Sequence, residues 1–68
     1  MPSTYVYSVA VRRADDVLVN TDGSLTTRRP FEEVEVREFA VNDLADAIGI
    51  PARDLAVVDF AYTTLPAL

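Results

Sequence analysis

Three observations predict a small α+β fold. Apolar residues alternate with polar ones in several short runs, one stretch around Leu44 has helical spacing, and the chain has only 68 residues. The expected architecture is a mostly antiparallel sheet of four to five strands with one α-helix packed on one face. The expected order is β-β-β-β-α-β, as one domain over residues 1–68.

The first strand is expected at Thr4–Arg12, TYVYSVAVR. Tyr5, Tyr7, Val9 and Val11 alternate with Thr4, Val6, Ser8 and Ala10, the period of a pleated strand rich in β-branched and aromatic residues. The second set is small or mildly polar, so that face too is expected to be covered. Ala14-Asp15-Asp16 then makes a turn, and Val17–Val19 a short strand. Asn20–Ser24 contains Asp22-Gly23, a strong hairpin signal, with Leu25–Arg28 as the returning strand and Pro30 as its stop.

Phe31–Phe39, FEEVEVREF, places Val34 and Val36 in alternation with Glu33, Glu35 and Arg37, as in a half-exposed strand. A rival reading makes Phe31–Ile48 one long helix begun by Pro30. In the first reading the helix opens at Asn42, with Asp43 and Asp46 in its first turns, where the helix dipole favours acids. Its buried stripe is Val41, Leu44, Ala45 and Ile48, and Gly49 is its left-handed cap. A tight turn at Pro51–Asp54 leads to a last strand, Ala56–Thr63, with Val58, Phe60 and Tyr62 on one face. The expected core is Tyr5, Tyr7, Val9, Val11, Val17, Val19, Val34, Val36, Leu44, Ile48, Ile50, Leu55, Val58 and Phe60.

Composition narrows the function classes. There is no Cys and no His, which excludes disulfides and zinc sites built from thiolate or imidazole, and leaves Ser3, Ser8 and Ser24 with no evident activating base. Two glycines, Gly23 and Gly49, are too few for a phosphate-gripping loop. Asp16, Asn20 and Asp22 have the look of a calcium loop, but Leu18 interrupts the ligands and the closing Glu is missing. No cofactor, no metal and no enzymatic activity are expected. No apolar run reaches the roughly 18 residues that span a bilayer, and no basic segment precedes the first apolar stretch. The expected location is the cytoplasm, or a virion for a phage component.

Net charge is −5, and the six bases are all Arg: Arg12, Arg13, Arg28, Arg29, Arg37 and Arg53. Such a balance disfavours nucleic acid as a partner. Pairing of strands could nonetheless bring Arg12-Arg13 and Arg28-Arg29 together as a local positive patch. Asn42–Leu55, NDLADAIGIPARDL, has the spacing of a helix-turn-helix. Its second helix would offer DNA Pro51, Ala52, Arg53, Ala56 and Val57, with carboxylates at Asp54 and Asp59, which is a poor set of readers.

Half of the residues are hydrophobic, more than a body of this size can hide. The expected role is therefore a non-enzymatic interaction or assembly subunit that self-associates or docks onto a larger complex, a phage or viral component being one case. The expected contact residues are Phe31, Phe39, Tyr62, Leu65 and Leu68, with sheet-edge pairing as the mechanism. Two alternatives come from other classes. One is a DNA-binding regulator using residues 42–58. The other is an acidic inhibitor presenting Asp15, Asp16, Glu32, Glu33, Glu35 and Glu38 to a basic target.

Overall fold

The computed structural model describes residues 2–65. Its element order is β1 (Ser3–Arg12), β2 (Leu18–Thr27), α1 (Glu33–Ile48), a 3-10 turn (Ala52–Asp54) and β3 (Ala56–Leu65). The three strands form one antiparallel sheet in the order β2-β1-β3, and α1 lies across one face. The fold is α+β as expected, with three strands among the described residues rather than four to five.

Two expected features are corrected. The separate strands at Val17–Val19 and Leu25–Arg28 are one continuous strand. Asp22-Gly23 is no turn, because it lies within β2, where Gly23 pairs with Tyr7. A turn there would have left half of β1 unpaired. The hairpin turns instead at Ala14-Asp15-Asp16, closed by the Arg13 amide on the Val17 carbonyl at 2.9 Å and the Asp16 amide on the Arg13 carbonyl at 2.9 Å. Asp16 has φ 70° and supplies the left-handed residue that three-residue hairpin loops require. Asp carries part of the steric penalty of that conformation. Asp16→Gly is therefore expected to stabilise by up to about 1 kcal/mol, read as a rise in thermal midpoint. The exposed Arg12–Asp16 ion pair, 3.4 Å, offers little to offset the change.

The second correction is Phe31–Phe39, which is the start of α1 and not a strand. The helix runs unbroken from Glu33, so Asn42 sits at mid-helix and Glu32 is the N-cap. The Glu35 carboxylate accepts a hydrogen bond from the Glu32 amide at 3.2 Å, reaching back across the first turn. Residues at i and i+4, Val36, Ala40 and Leu44, together with Ala45, are buried; Val34 stays 48 % exposed. Small side chains at Ala40 and Ala45 let the helix approach the sheet closely. Gly49 ends the helix at φ 72°, as expected, with its amide on the Ala45 carbonyl at 2.9 Å.

The inner face of β1 forms the centre of the core: Tyr5, Tyr7, Val9 and Val11 are all at most 3 % exposed. Val36, Ala40, Leu44, Ala45 and Leu55 pack onto them, while Val19, Ile48, Ile50 and Phe60 are partly buried around them. Val17, Val34 and Val58, expected inside, are exposed. Val17 lies beyond the end of the sheet, Val34 points away on the helix, and Val58 stands at a register shift between Ala10 and Val11.

Tyr7 ties the layers together. A Cβ placed on Gly23 would sit 2.6 Å from the Tyr7 hydroxyl and 2.7 Å from its ring carbon, so the ring lies directly over the glycine. The hydroxyl donates to the Asp43 carboxylate on α1 at 3.4 Å, and the ring meets Phe39 edge-on at 6.2 Å. Burial first, then the Asp43 charge and hydrogen bond, raise the Tyr7 pKa. The stability this gives is present below the ordinary tyrosine range and is lost as pH rises through the raised value.

Candidate interaction surface

Among the described residues, nothing covers the side of the sheet away from α1. Across the registered pairs, its rows read Thr26–Thr4–Leu65, Ser24–Val6–Thr63, Asp22–Ser8–Ala61 and Asn20–Ala10–Asp59, and then Leu18–Arg12–Ala56. Every position is exposed except Thr4 and Ala10, which are half-buried. The expectation that this face is covered is thus not met among the described residues. The charges in these rows are Asp22, Asp59 and Arg12, and the face is rich in hydroxyls, such as the Thr4–Thr26 pair at 3.1 Å. Hydroxyls on β-branched side chains suit a water-facing sheet side.

The edges differ from one another. Along β2, LVNTDGSLTT, polar residues dominate and Gly23 interrupts the side-chain row. Along β3, AVVDFAYTTL, Asp59 is the only charge, and there is no Pro, Lys or Gly to discourage pairing. Val57, Val58 and Leu65 on β3 are 37 %, 47 % and 43 % exposed. On the helix side of the strand, Phe60 and Tyr62 stack at 5.8 Å and are only half-buried. Two shallow troughs involve β3, one beside it on the helix side and one that crosses all three strands on the open face. One, of about 310 Å³, lies toward α1 between Arg37, Val41, Arg53 and Val57. The other, of about 370 Å³, runs over Val6, Ser8, Ala61 and Thr63.

The expected contact residues fall at several places. Tyr5 stands between Phe31, at 6.4 Å, and Tyr62, at 6.0 Å. The Phe31 amide donates to the Tyr5 hydroxyl at 2.6 Å, so Phe31 serves to dock the start of α1. Phe39 is 36 % exposed and stands against Tyr7 on the flank of the helix. Leu65 ends β3, and Leu68 lies outside the described residues. Val57 and Val58 were missed as surface residues, although the Val-Val doublet breaks the period-two pattern and so hints at a bulge.

The acids are divided between the two ends of the sheet. Asp15 and Asp16 lie in the hairpin turn and pair with Arg13 at 3.0 Å and Arg12 at 3.4 Å. Glu32, Glu33 and Glu35 lie at the helix start, beside the other end of β1, and Glu38 follows one turn later. The β1–β2 register also sets Arg12-Arg13 and Arg28-Arg29 at opposite ends, so the expected positive patch does not form. Arg29 instead spans Glu35, with contacts of 2.6 and 3.3 Å, and lies 4.6 Å above the Phe31 ring. The Arg29 hydrogen bond, followed by the Glu32 amide, lowers the Glu35 pKa. The stability from this pairing is present above the ordinary carboxylate pKa and lost as pH falls through the lowered one. Carbon-detected titration should place the Glu35 midpoint below the ordinary carboxylate range, and Arg29→Gln should move it upward.

Residues 42–58 form the second half of α1, one 3-10 turn and the start of β3, with no second α-helix to enter a groove. Among the described residues no three acidic side chains converge as a metal site would need, and no helix is long and apolar enough to cross a membrane. The chain matches no family, no curated protein and no solved structure in sequence or fold.

Proposed function

We propose that this protein is a non-enzymatic interaction subunit that works by presenting β3 to another protein chain, either a second copy of itself or a component of a larger assembly. The observation that carries the reading is the contrast between the two edges of the sheet. Both strands are ten residues long with one charge, but β3 carries three exposed aliphatic side chains, Val57, Val58 and Leu65, where β2 carries one, Leu18, among Asn, Thr, Asp and Ser. An edge of that kind has unpaired backbone donors and acceptors for an incoming strand, which supply affinity, while side chains on either face supply selectivity. The trough between α1, the 3-10 turn and Val57 leaves room beside β3 for incoming side chains.

The hydroxyl-rich open face supports the reading less strongly. Three strands of ten residues make a footprint of about 480 Å², short of the roughly 800 Å² per partner of a standard interface. The non-enzymatic part is supported by chemistry. Of the perturbed groups of catalytic type, Tyr7 owes its shift first to burial in the core and then to Asp43 on α1, and Glu35 to Arg29 and the Glu32 amide at the helix start.

Sedimentation of the pure chain over a wide concentration range, together with native mass spectrometry of the complex recovered from its source, tests the proposal. The expected result is a mass above 7.5 kDa in at least one of them. A 7.5 kDa particle in both would end it.

A further inference from the structure

We propose that β3 pairs antiparallel with β3 of a second copy, about a twofold axis at Ala61, to build a continuous six-stranded sheet. This rests on the reading of β3 as the contact edge and names its partner and register.

Symmetry restricts the arrangements. Identical antiparallel neighbours are related by an axis perpendicular to the sheet, so residues equidistant from one central residue face each other and both helices lie on the same side. Four centres near the middle of β3 can be compared. A centre at Asp59 sets two carboxylates directly opposite, which is repulsive. A centre at Phe60 runs Tyr62 into the irregular Val57–Val58 segment of its partner. A centre at Tyr62 places Asp59 against Leu65. A centre at Ala61 places Asp59 against the Thr63 hydroxyl, Phe60 against Tyr62, and Ala61 against Ala61.

That last register has no charge conflict and turns the existing Phe60–Tyr62 stack into a cluster of four rings. Cross-strand aromatic pairs are among the favourable units of sheet pairing. The Val57–Val58 irregularity then marks each end of the new ladder, with Leu65 of the other copy beside it.

The helices permit this. α1 packs chiefly on β1. Three strand spacings separate the two central strands, about 14 Å, whereas packed helices need 8–10 Å. The helices therefore clear each other, and the four rings floor the space between them. The surface so buried is small, so association is concentration-dependent.

The chain has no cysteine, which makes a cysteine scan direct. Single substitutions Asp59→Cys, Ala61→Cys, Thr63→Cys and Leu65→Cys, with Asp22→Cys on the opposite edge as control, are oxidised mildly at a concentration where the parent's mass is measured by sedimentation. Only residue 61 faces its own copy within disulfide reach. Ala61→Cys is therefore expected to crosslink on the order of tenfold more than the others. Ala61 is exposed, so Ala61→Glu is expected to keep the parent's circular dichroism while weakening association severalfold by like-charge opposition. An equal mixture of Ala61→Glu and Ala61→Arg chains should associate again. An associating parent that crosslinks best at another β3 position overturns this register while leaving the interaction reading intact, and one that crosslinks best at Asp22→Cys overturns the choice of β3 as the contact edge as well. A parent that stays monomeric throughout overturns the pairing itself and the self-association form of that reading.

Discussion

Val36→Asp is expected to unfold the chain, while Val34→Asp, two residues earlier, leaves it folded with a nearly unchanged melting curve. Val36 is fully buried in the core between α1 and the inner face of β1. An unpaired buried charge belongs to the small class of substitutions that cost more than about 4 kcal/mol. A domain of this size has roughly 5 kcal/mol or less in reserve. Val34 is 48 % exposed in the first turn, where a carboxylate also meets the favourable end of the helix dipole, so its change should stay within about 0.5 kcal/mol. A strand over Phe31–Phe39 would place both valines on one face and make them respond alike. Thermal melts of the two variants therefore test the helix directly.

Gly23→Ala is expected to destabilise by about 1–3 kcal/mol, the usual cost of forcing extra bulk into a filled site. By the size scaling of melting, that is a fall on the order of 4–8 °C per kcal/mol. The cause is local: the added methyl would occupy space held by the Tyr7 ring, which is itself wedged against Phe39 and Asp43. Tyr7→Ala alone removes a buried ring and should cost about 3–5 kcal/mol, by analogy with other aromatic truncations. The pair is most informative together. Once Tyr7→Ala has removed the ring, Gly23→Ala should be neutral or mildly stabilising, because alanine suits an extended strand better than glycine. Equal penalties for Gly23→Ala in both backgrounds would mean that the ring does not set the requirement for glycine.

These two sites also mark the limits of what the sequence discloses. β1 and β3 were legible because Tyr5, Tyr7, Val9 and Val11, and then Phe60 and Tyr62, carry a clear period of two. The Ala14–Asp16 turn and the Gly49 cap were legible because their chemistry is local. Asp22-Gly23 misled for the opposite reason. Gly23 is a glycine on account of a tyrosine sixteen positions earlier, and nothing beside it in sequence says so. The start of α1 misled because Val34-Glu35-Val36 alternates by chance within the first turn. The longer row Val36, Ala40, Leu44, Ile48, unbroken by Gly or Pro, carried the correct period. Of the proposed contact edge, Tyr62 and Leu65 were picked out in the sequence as apolar residues of a weakly charged stretch. Val57 and Val58 were not, since their exposure follows from a register shift in the β1–β3 ladder.

The account stands on β3 being an unsatisfied edge. A concentration series of two-dimensional amide spectra of the labelled chain reads this most directly. The predicted result is that shifts and gains in amide protection concentrate in Asp59–Leu65, with the amides of β2 unchanged. Spectra that superimpose from the most dilute to the most concentrated sample, at the mass of one chain, would contradict it.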